Sequence, residues 1–209
     1  MKVKVCGMKH SQNIEALGKL SVHFMGLIFY AKSPRFAGSL AEEELLRLLP
    51  EHIRKVGVFV NADVDEIETA ARQYQLHYIQ FHGSETPELI REVKSRLPRI
   101  KTIKAFNVAQ VEDLDATLPY AGQVDYFLFD TKTEQHGGSG KKFDWAILQA
   151  YCGETPFFLS GGISLEDAEE LRLLHHPKLF ALDINSKFEM EPGLKDIQRI
   201  EKFIKQIQS

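Results

Sequence analysis

Cys6 ends the run Lys2–Cys6, directly before Gly7. A thiol there is either a base or nucleophile, or a small buried hydrophobe. Asp130 closes an almost wholly apolar run, Tyr126-Phe127-Leu128-Phe129. Such a carboxyl either caps the following turn or faces a cavity. Apolar surroundings would raise its pKa toward what a general acid working near neutrality requires. Lys32-Ser33-Pro34-Arg35 sets an arginine on a proline-stiffened loop, where it could grip a carboxylate or phosphate bidentately or simply lie in solvent. In Gln80-Phe81-His82-Gly83, alternation puts Gln80 and His82 on one face of an extended run. His82 is thus a candidate base, ligand or hydrogen-bonded rim residue. No second His or carboxylate lies at metal spacing, so no metal site is expected. Ser160-Gly161-Gly162 and Asp183-Ile184-Asn185-Ser186 end two more runs and offer backbone amides to an anion.

Other candidates carry less. Cys152, next to Gly153, reads as structural, and His175-His176 before Pro177 reads as a helix-end cap. Gly137-Gly138-Ser139-Gly140-Lys141 looks superficially like a phosphate-binding loop, but that motif needs glycine where Gln135 stands. The glycine-rich stretch from Thr131 to Lys142 is better read as a mobile lid.

These residues punctuate a rhythm of short β-branched or aromatic runs, turns and amphipathic helices. The strand candidates are Lys2–Cys6, His23–Phe29, Lys55–Val60, His77–Phe81, Ile100–Phe106, Val124–Asp130, Pro156–Leu159 and Leu179–Ile184. Helical patterns fall at Asn13–Lys19, Leu40–Leu49, Asp63–Tyr74 with Asp63 as N-cap, and from Thr86-Pro87-Glu88 onward. Val108–Leu118, Asp144–Ala150, Leu165–Leu174 and Leu194–Ile207 complete the series. Eight such units in 209 residues are about 26 residues each, the pattern of a single (β/α)8 barrel over 1–209. A doubly wound open sheet is the alternative, but no glycine-rich dinucleotide fingerprint follows the first strand. In a barrel the chemistry belongs at the C-terminal strand ends and the loops after them, where Cys6, Arg35, Gln80, His82, Asp130, Gly161, Gly162, Asn185 and Ser186 fall and Cys152 and His175-His176 do not.

Composition narrows the partners. With 26 Lys plus Arg against 29 Asp plus Glu, the formal charge is −3, which argues against a nucleic-acid binder. The longest apolar stretch, Phe24 to Ala31, is far short of the ~20 residues a membrane-spanning helix needs. The start, MKVKVCG, has no apolar signal region, and Cys6 and Cys152 make no disulfide framework, so a reducing cytoplasm is expected.

Taken together the segments resemble the phosphoribosylanthranilate isomerase family of tryptophan biosynthesis. The resemblance spans nearly the whole chain: KVCGM at 4–8, GLIFYAKSPR at 26–35, VGVFVN at 56–61, IQFHG at 79–83 and FLFDT at 127–131. It continues through GGSGKKFDW at 137–145, LSGGI at 159–163, DINSKFE at 183–189 and PGLKD at 192–196. Two positions depart from the family pattern: Lys187 stands where Gly is usual, and Ser139 where Thr is usual. The resemblance implies an Amadori rearrangement without cofactor, with Cys6 as general base and Asp130 as general acid. It further implies that Arg35 holds the anthranilate carboxylate, with Gln80 and His82 in the substrate site. Gly161, Gly162 and the Asn185–Ser186 turn would hold the ribose 5-phosphate. The expected partner is a small phosphorylated substrate, and a monomer is expected in preference to a homodimer. Two alternatives stand beside it: the related aminoimidazole ribonucleotide isomerase of histidine biosynthesis, which uses two Asp, and a non-catalytic phosphosugar-binding barrel.

Overall fold

The computed structural model describes residues 1–38, 40–41, 48–131 and 145–208. Eight parallel strands close into a barrel in sequence order: β1 (Lys2–Cys6), β2 (Phe24–Ile28), β3 (Arg54–Phe59), β4 (Tyr78–Phe81), β5 (Lys101–Val108), β6 (Tyr126–Thr131), β7 (Phe157–Leu159) and β8 (Leu179–Ile184). β1 pairs with both β2 and β8, so no edge is left open. The open-sheet alternative is excluded.

The strands have two faces because side chains alternate. Val3 and Val5 point outward onto the helices, as do Phe127 and Phe129, and all four are buried in the outer core. The helices answer with apolar stripes. α1 (Ser11–Gly18) buries Ile14 and Leu17, while α2 (Val64–Gln73) and α3 (Pro87–Arg96) bury Ile67, Ala71, Ile90 and Val93. Asp63 caps α2 in a capping box with Glu66, as its position predicts, and Thr86 caps α3 ahead of Pro87.

Inward positions fill the barrel in layers drawn from alternate strands. At the N-terminal end Phe24, Tyr78, Tyr126 and Phe180 meet ring to ring, with Tyr126 and Phe180 centroids 4.5 Å apart. Val56, Ile103 and Phe158 pack above them, fully buried. On β1 the same inward row carries Lys4 and then Cys6.

Four helix expectations need correcting. Val108 belongs to β5, and Val111–Tyr120 winds as a 3-10 helix, because Pro119 lacks an amide donor and Asp113 caps Ala109 and Gln110. Trp145–Ala150 is likewise 3-10. Leu165–Asp167 is a 3-10 turn held by the Ser164–Asp167 capping box before α4 (Ala168–Leu173). Finally, Leu194–Lys195 is not helical. It pairs antiparallel with Glu189–Glu191 as the hairpin β9–β10, turned at Gly193 (φ +92°), and α5 (Ile197–Gln208) starts after it. Polar alternation in β9 and the Pro192-Gly193 turn were the signals for this hairpin. The expected helix Leu40–Leu49 lies mostly outside the described residues. The expected lid, Thr131 to Lys142, lies outside them from residue 132 onward.

Candidate active site

β1 delivers Cys6 to the C-terminal mouth with only 5% of its surface exposed. The opposite position on β2 is Gly26. A Cβ there would sit 2.7 Å from the Cys6 Sγ, so glycine at 26 is what makes room for the thiol. Two residues deeper, Lys4 is fully buried and its Nζ lies 2.8 Å from Asp183 Oδ2. The Asp183 carboxylate keeps Lys4 charged above its ordinary range despite burial. Burial pushes the Cys6 thiol up, while Lys4 and then Lys195 pull it down, and the net direction is up. Lys4 and Lys195 are the cations that face the sulfur, and desolvation outweighs them.

Asp130 sits near the end of β6 on its inward face, across the barrel from Cys6. His82 Nε2 lies 3.8 Å from Asp130 Oδ2. Surrounding protein, helped by the Lys4 and Lys104 cations, pushes the His82 imidazole down to about 4, so the ring is neutral at physiological pH. The Gln80 amide Nε2 lies 2.9 Å from His82 Nδ1. Since that nitrogen can only donate, Nδ1 accepts and the proton sits on Nε2, the atom facing Asp130. The loop bearing His82 is braced from below. Lys104 Nζ donates to the Gly83 carbonyl at 2.7 Å and pairs with Glu85, which accepts from the amides of Asn61 and Gly83.

A cavity of about 120 Å³ opens between the ends of β6, β7 and β8. It is lined by Asp130, Gly161, Gly162, Asp183, Asn185 and Ser186. Gly161 (φ +97°) and Gly162 (φ +66°) both adopt backbone that disfavours other residues. Lys187 lies in a short 3-10 turn with no left-handed φ, so the lysine is accommodated without strain there. Among the described residues, Gln80 Oε1 and Asp183 Oδ1 are buried acceptors without a partner.

Arg35 is not a solvated surface residue. Its Nε lies 2.9 Å and its Nη2 2.6 Å from carboxylate oxygens of Glu189, and a Cβ on Gly7 would sit 2.7 Å from the Arg35 Cδ. Its stem therefore crosses the backbone just after Cys6. Lys195 Nζ joins the same carboxylate at 2.7 Å and also reaches Asn185 Oδ1 at 2.6 Å. The structure thus gathers Cys6, Arg35, Gln80, His82, Asp130, Gly161, Gly162, Asn185 and Ser186 at one mouth, while Cys152 is exposed elsewhere. Sequence reasoning missed Lys4, Asp183, Glu189 and Lys195. The first had a signal, since Lys4 and Cys6 share the inward face of β1. His175 and His176 lie after the end of α4, where the His176 ring accepts from the Lys178 amide.

The comparisons agree with this geometry. The family model for "N-(5'phosphoribosyl)anthranilate (PRA) isomerase" matches residues 3–206. A Parabacteroides distasonis protein of that name is 48% identical over 211 residues, covering 99% of this chain and 93% of its own. One from Phocaeicola vulgatus is 42% identical, covering 99% and 98%. The solved phosphoribosyl anthranilate isomerase of Thermotoga maritima superposes with a TM-score of 0.84 at 32% identity, covering 100% of this chain and 98% of that one. Another solved enzyme of this kind, in complex with reduced 1-(o-carboxyphenylamino)-1-deoxyribulose 5-phosphate, gives 0.81 at 29% identity, covering 100% and 98%. This chain belongs to the N-(5'-phosphoribosyl)anthranilate isomerase family of tryptophan biosynthesis, and it is an isomerase.

Proposed function

We propose that Cys6 and Asp130 are the base and acid with which this isomerase converts N-(5-phosphoribosyl)anthranilate into 1-(2-carboxyphenylamino)-1-deoxyribulose 5-phosphate. The observation that carries the assignment is their placement on β1 and β6, facing across one mouth beside the glycine-lined cavity. The reaction needs one proton delivered and another removed on different sides of a sugar anchored at both ends. Asp130 gives its proton to the furanose oxygen as the C1′–O bond breaks, and the nitrogen lone pair forms the C1′=N iminium. The Cys6 thiolate then takes the C2′ proton, and that electron pair makes the C1′=C2′ enolamine and neutralises the nitrogen. Protonation at C1′ and loss of the enol proton yield the ketone.

Each end of the substrate has a matching partner. Amides of Gly161, Gly162 and the Asn185–Ser186 turn hold the phosphate, and Arg35 holds the arene carboxylate. His82, neutral with its proton toward Asp130, orients the acid, and Gln80 fixes the tautomer. Residues 1–209 act as a single catalytic domain in the cytoplasm. The monomer is favoured because the large exposed apolar side chains among the described residues, Met1, Val111, Leu118, Leu173 and Met190, are scattered over four segments, with only Val111 and Leu118 sharing one. Sedimentation at micromolar concentration checks it. The test of the activity is loss of anthranilate fluorescence when purified protein meets freshly made phosphoribosylanthranilate. A flat trace would overturn the assignment.

A further inference from the structure

We infer that Glu189, on the β9–β10 hairpin, is a positioning residue that aims the Arg35 guanidinium at the substrate's arene carboxylate. The inference rests on the reading of Arg35 as the anchor for that carboxylate. A guanidinium offers two carboxylate-binding edges. Glu189 takes the side edge, with Arg35 Nε at 2.9 and 3.1 Å from its two oxygens and Nη2 at 2.6 Å. The edge formed by Nη1 and Nη2 is thereby left for a second carboxylate.

Glu189 can aim Arg35 only if it is itself fixed, and it is. The Gly193 amide donates to its Oε1 at 3.0 Å and Lys195 Nζ at 2.7 Å, and the Glu189 side chain is 5% exposed. Lys195 is tied in turn to Asn185 Oδ1 and, through its backbone, to both ends of the Asn13 amide on α1 at 2.8 and 2.9 Å. On the other side, Gly7 lets the Arg35 stem pass within what would be 2.7 Å of a Cβ. The guanidinium is thus held along its Nε–Nη2 edge, and its stem lies over Gly7, before substrate arrives.

The charge count supports the same role. Arg35 and Lys195 bring two positive charges and Glu189 one negative, leaving one net positive charge for one arene carboxylate. Without Lys195, Glu189 would cancel the anchor. Without Glu189, the site would be more positive but the arginine would have to be ordered by the ligand, at a cost in affinity.

Those two effects have opposite signs, which makes the proposal testable. Inhibition constants would be measured for the reduced product, a stable secondary amine, and for its counterpart lacking the ring carboxylate. Glu189→Ala should weaken the carboxylate-bearing inhibitor by about 3–10-fold and the other by less than about twofold. KM should rise with kcat nearly unchanged, and Glu189→Asp should fall between Ala and wild type. In an Arg35→Ala background the Glu189→Ala effect should vanish. Tighter binding of the carboxylate in Glu189→Ala, or equal weakening of both inhibitors, overturns the positioning role. If Arg35→Ala fails to change the ratio of the two constants, the anchor assignment falls and this inference with it. An Arg35→Ala effect without a Glu189→Ala effect removes the positioning role alone. Should Glu189→Ala not fold, the Glu189→Asp ratio decides in the same direction.

Discussion

The two ends of the barrel are made from the same strands and the same inward-facing rows, yet they are built on opposite principles. At the N-terminal end the row is aromatic: Phe24, Tyr78, Tyr126 and Phe180, with Phe158 above them. Even the polar tips there are subdued, and burial pushes the Tyr78 hydroxyl up to about 12. At the mouth the rows turn charged in Lys4 and Asp183, and the loop after β2 and the β9–β10 hairpin add Arg35, Glu189 and Lys195 around one thiol. Apolar packing tolerates substitution of comparable volume, whereas a buried charge network works only when each member has its partner. The lower end stabilises the barrel, and the upper end keeps polar groups dry enough to do chemistry.

The sharpest way to break this contrast is to remove chemistry without touching packing. Cys6→Ala and Asp130→Asn should each lower turnover by about 10²–10⁴-fold, with thermal melting close to wild type and Cys152→Ala as the control. Turnover within a few fold of wild type in both folded variants would end the acid–base assignment. Next comes a charge removed from the network. Lys4→Met strands the Asp183 carboxylate in the interior and should cost about 3–5 kcal/mol, measured by denaturant unfolding. Adding Asp183→Asn should restore much of that. In the double variant the rising limb of kcat/KM against pH should move to higher pH, because Lys4 pulls the thiol down more strongly than Asp183 pushes it up.

Phe158→Ala tests the other end. It should cost a similar ~3–5 kcal/mol, but kcat per folded molecule should be unchanged, and a large drop in kcat would show that the two ends are mechanically coupled. The smallest effect concerns His82, whose folded pKa lies below the ordinary 6.5. As pH falls from 6.5 toward 4, the unfolded chain takes up a proton that the folded chain refuses, so stability falls through that window. The melting temperature of His82→Gln should decline less between pH 7 and pH 4.5. The slope that remains includes His23 and His77, whose imidazoles burial also holds down.

The same contrast explains what was legible in the sequence. Strand positions were readable because apolar alternation is local: Lys2–Cys6 and Leu179–Ile184 coincide with the observed β1 and β8. The barrel rhythm alone places Cys6, Asp130 and Gly161 at or just after strand ends. What could not be read was the pairing among the ionic residues. Lys4 meets Asp183 across 179 positions and Arg35 meets Glu189 across 154, contacts that only the closed barrel creates. The β9–β10 hairpin was misread for a related reason. Leu194 fits the apolar pattern of the following helix despite the Pro192-Gly193 turn, and the backbone amide and carbonyl of Lys195 are held by Asn13, far away in the chain.

The glycine facing Cys6 has a consequence for how the cell's oxidants and electrophiles meet this protein. By clearing just enough space for one sulfur, Gly26 lets the thiol sit almost wholly buried, where desolvation pushes its pKa up. Alkylating agents and peroxide attack the thiolate of an accessible cysteine, not a sheltered thiol. Cys152, exposed on the surface, should take up iodoacetamide first at neutral pH, while Cys6 stays unlabelled in the folded enzyme and activity persists. The enzyme carries a soft nucleophile that is poorly available to the general chemistry of its surroundings.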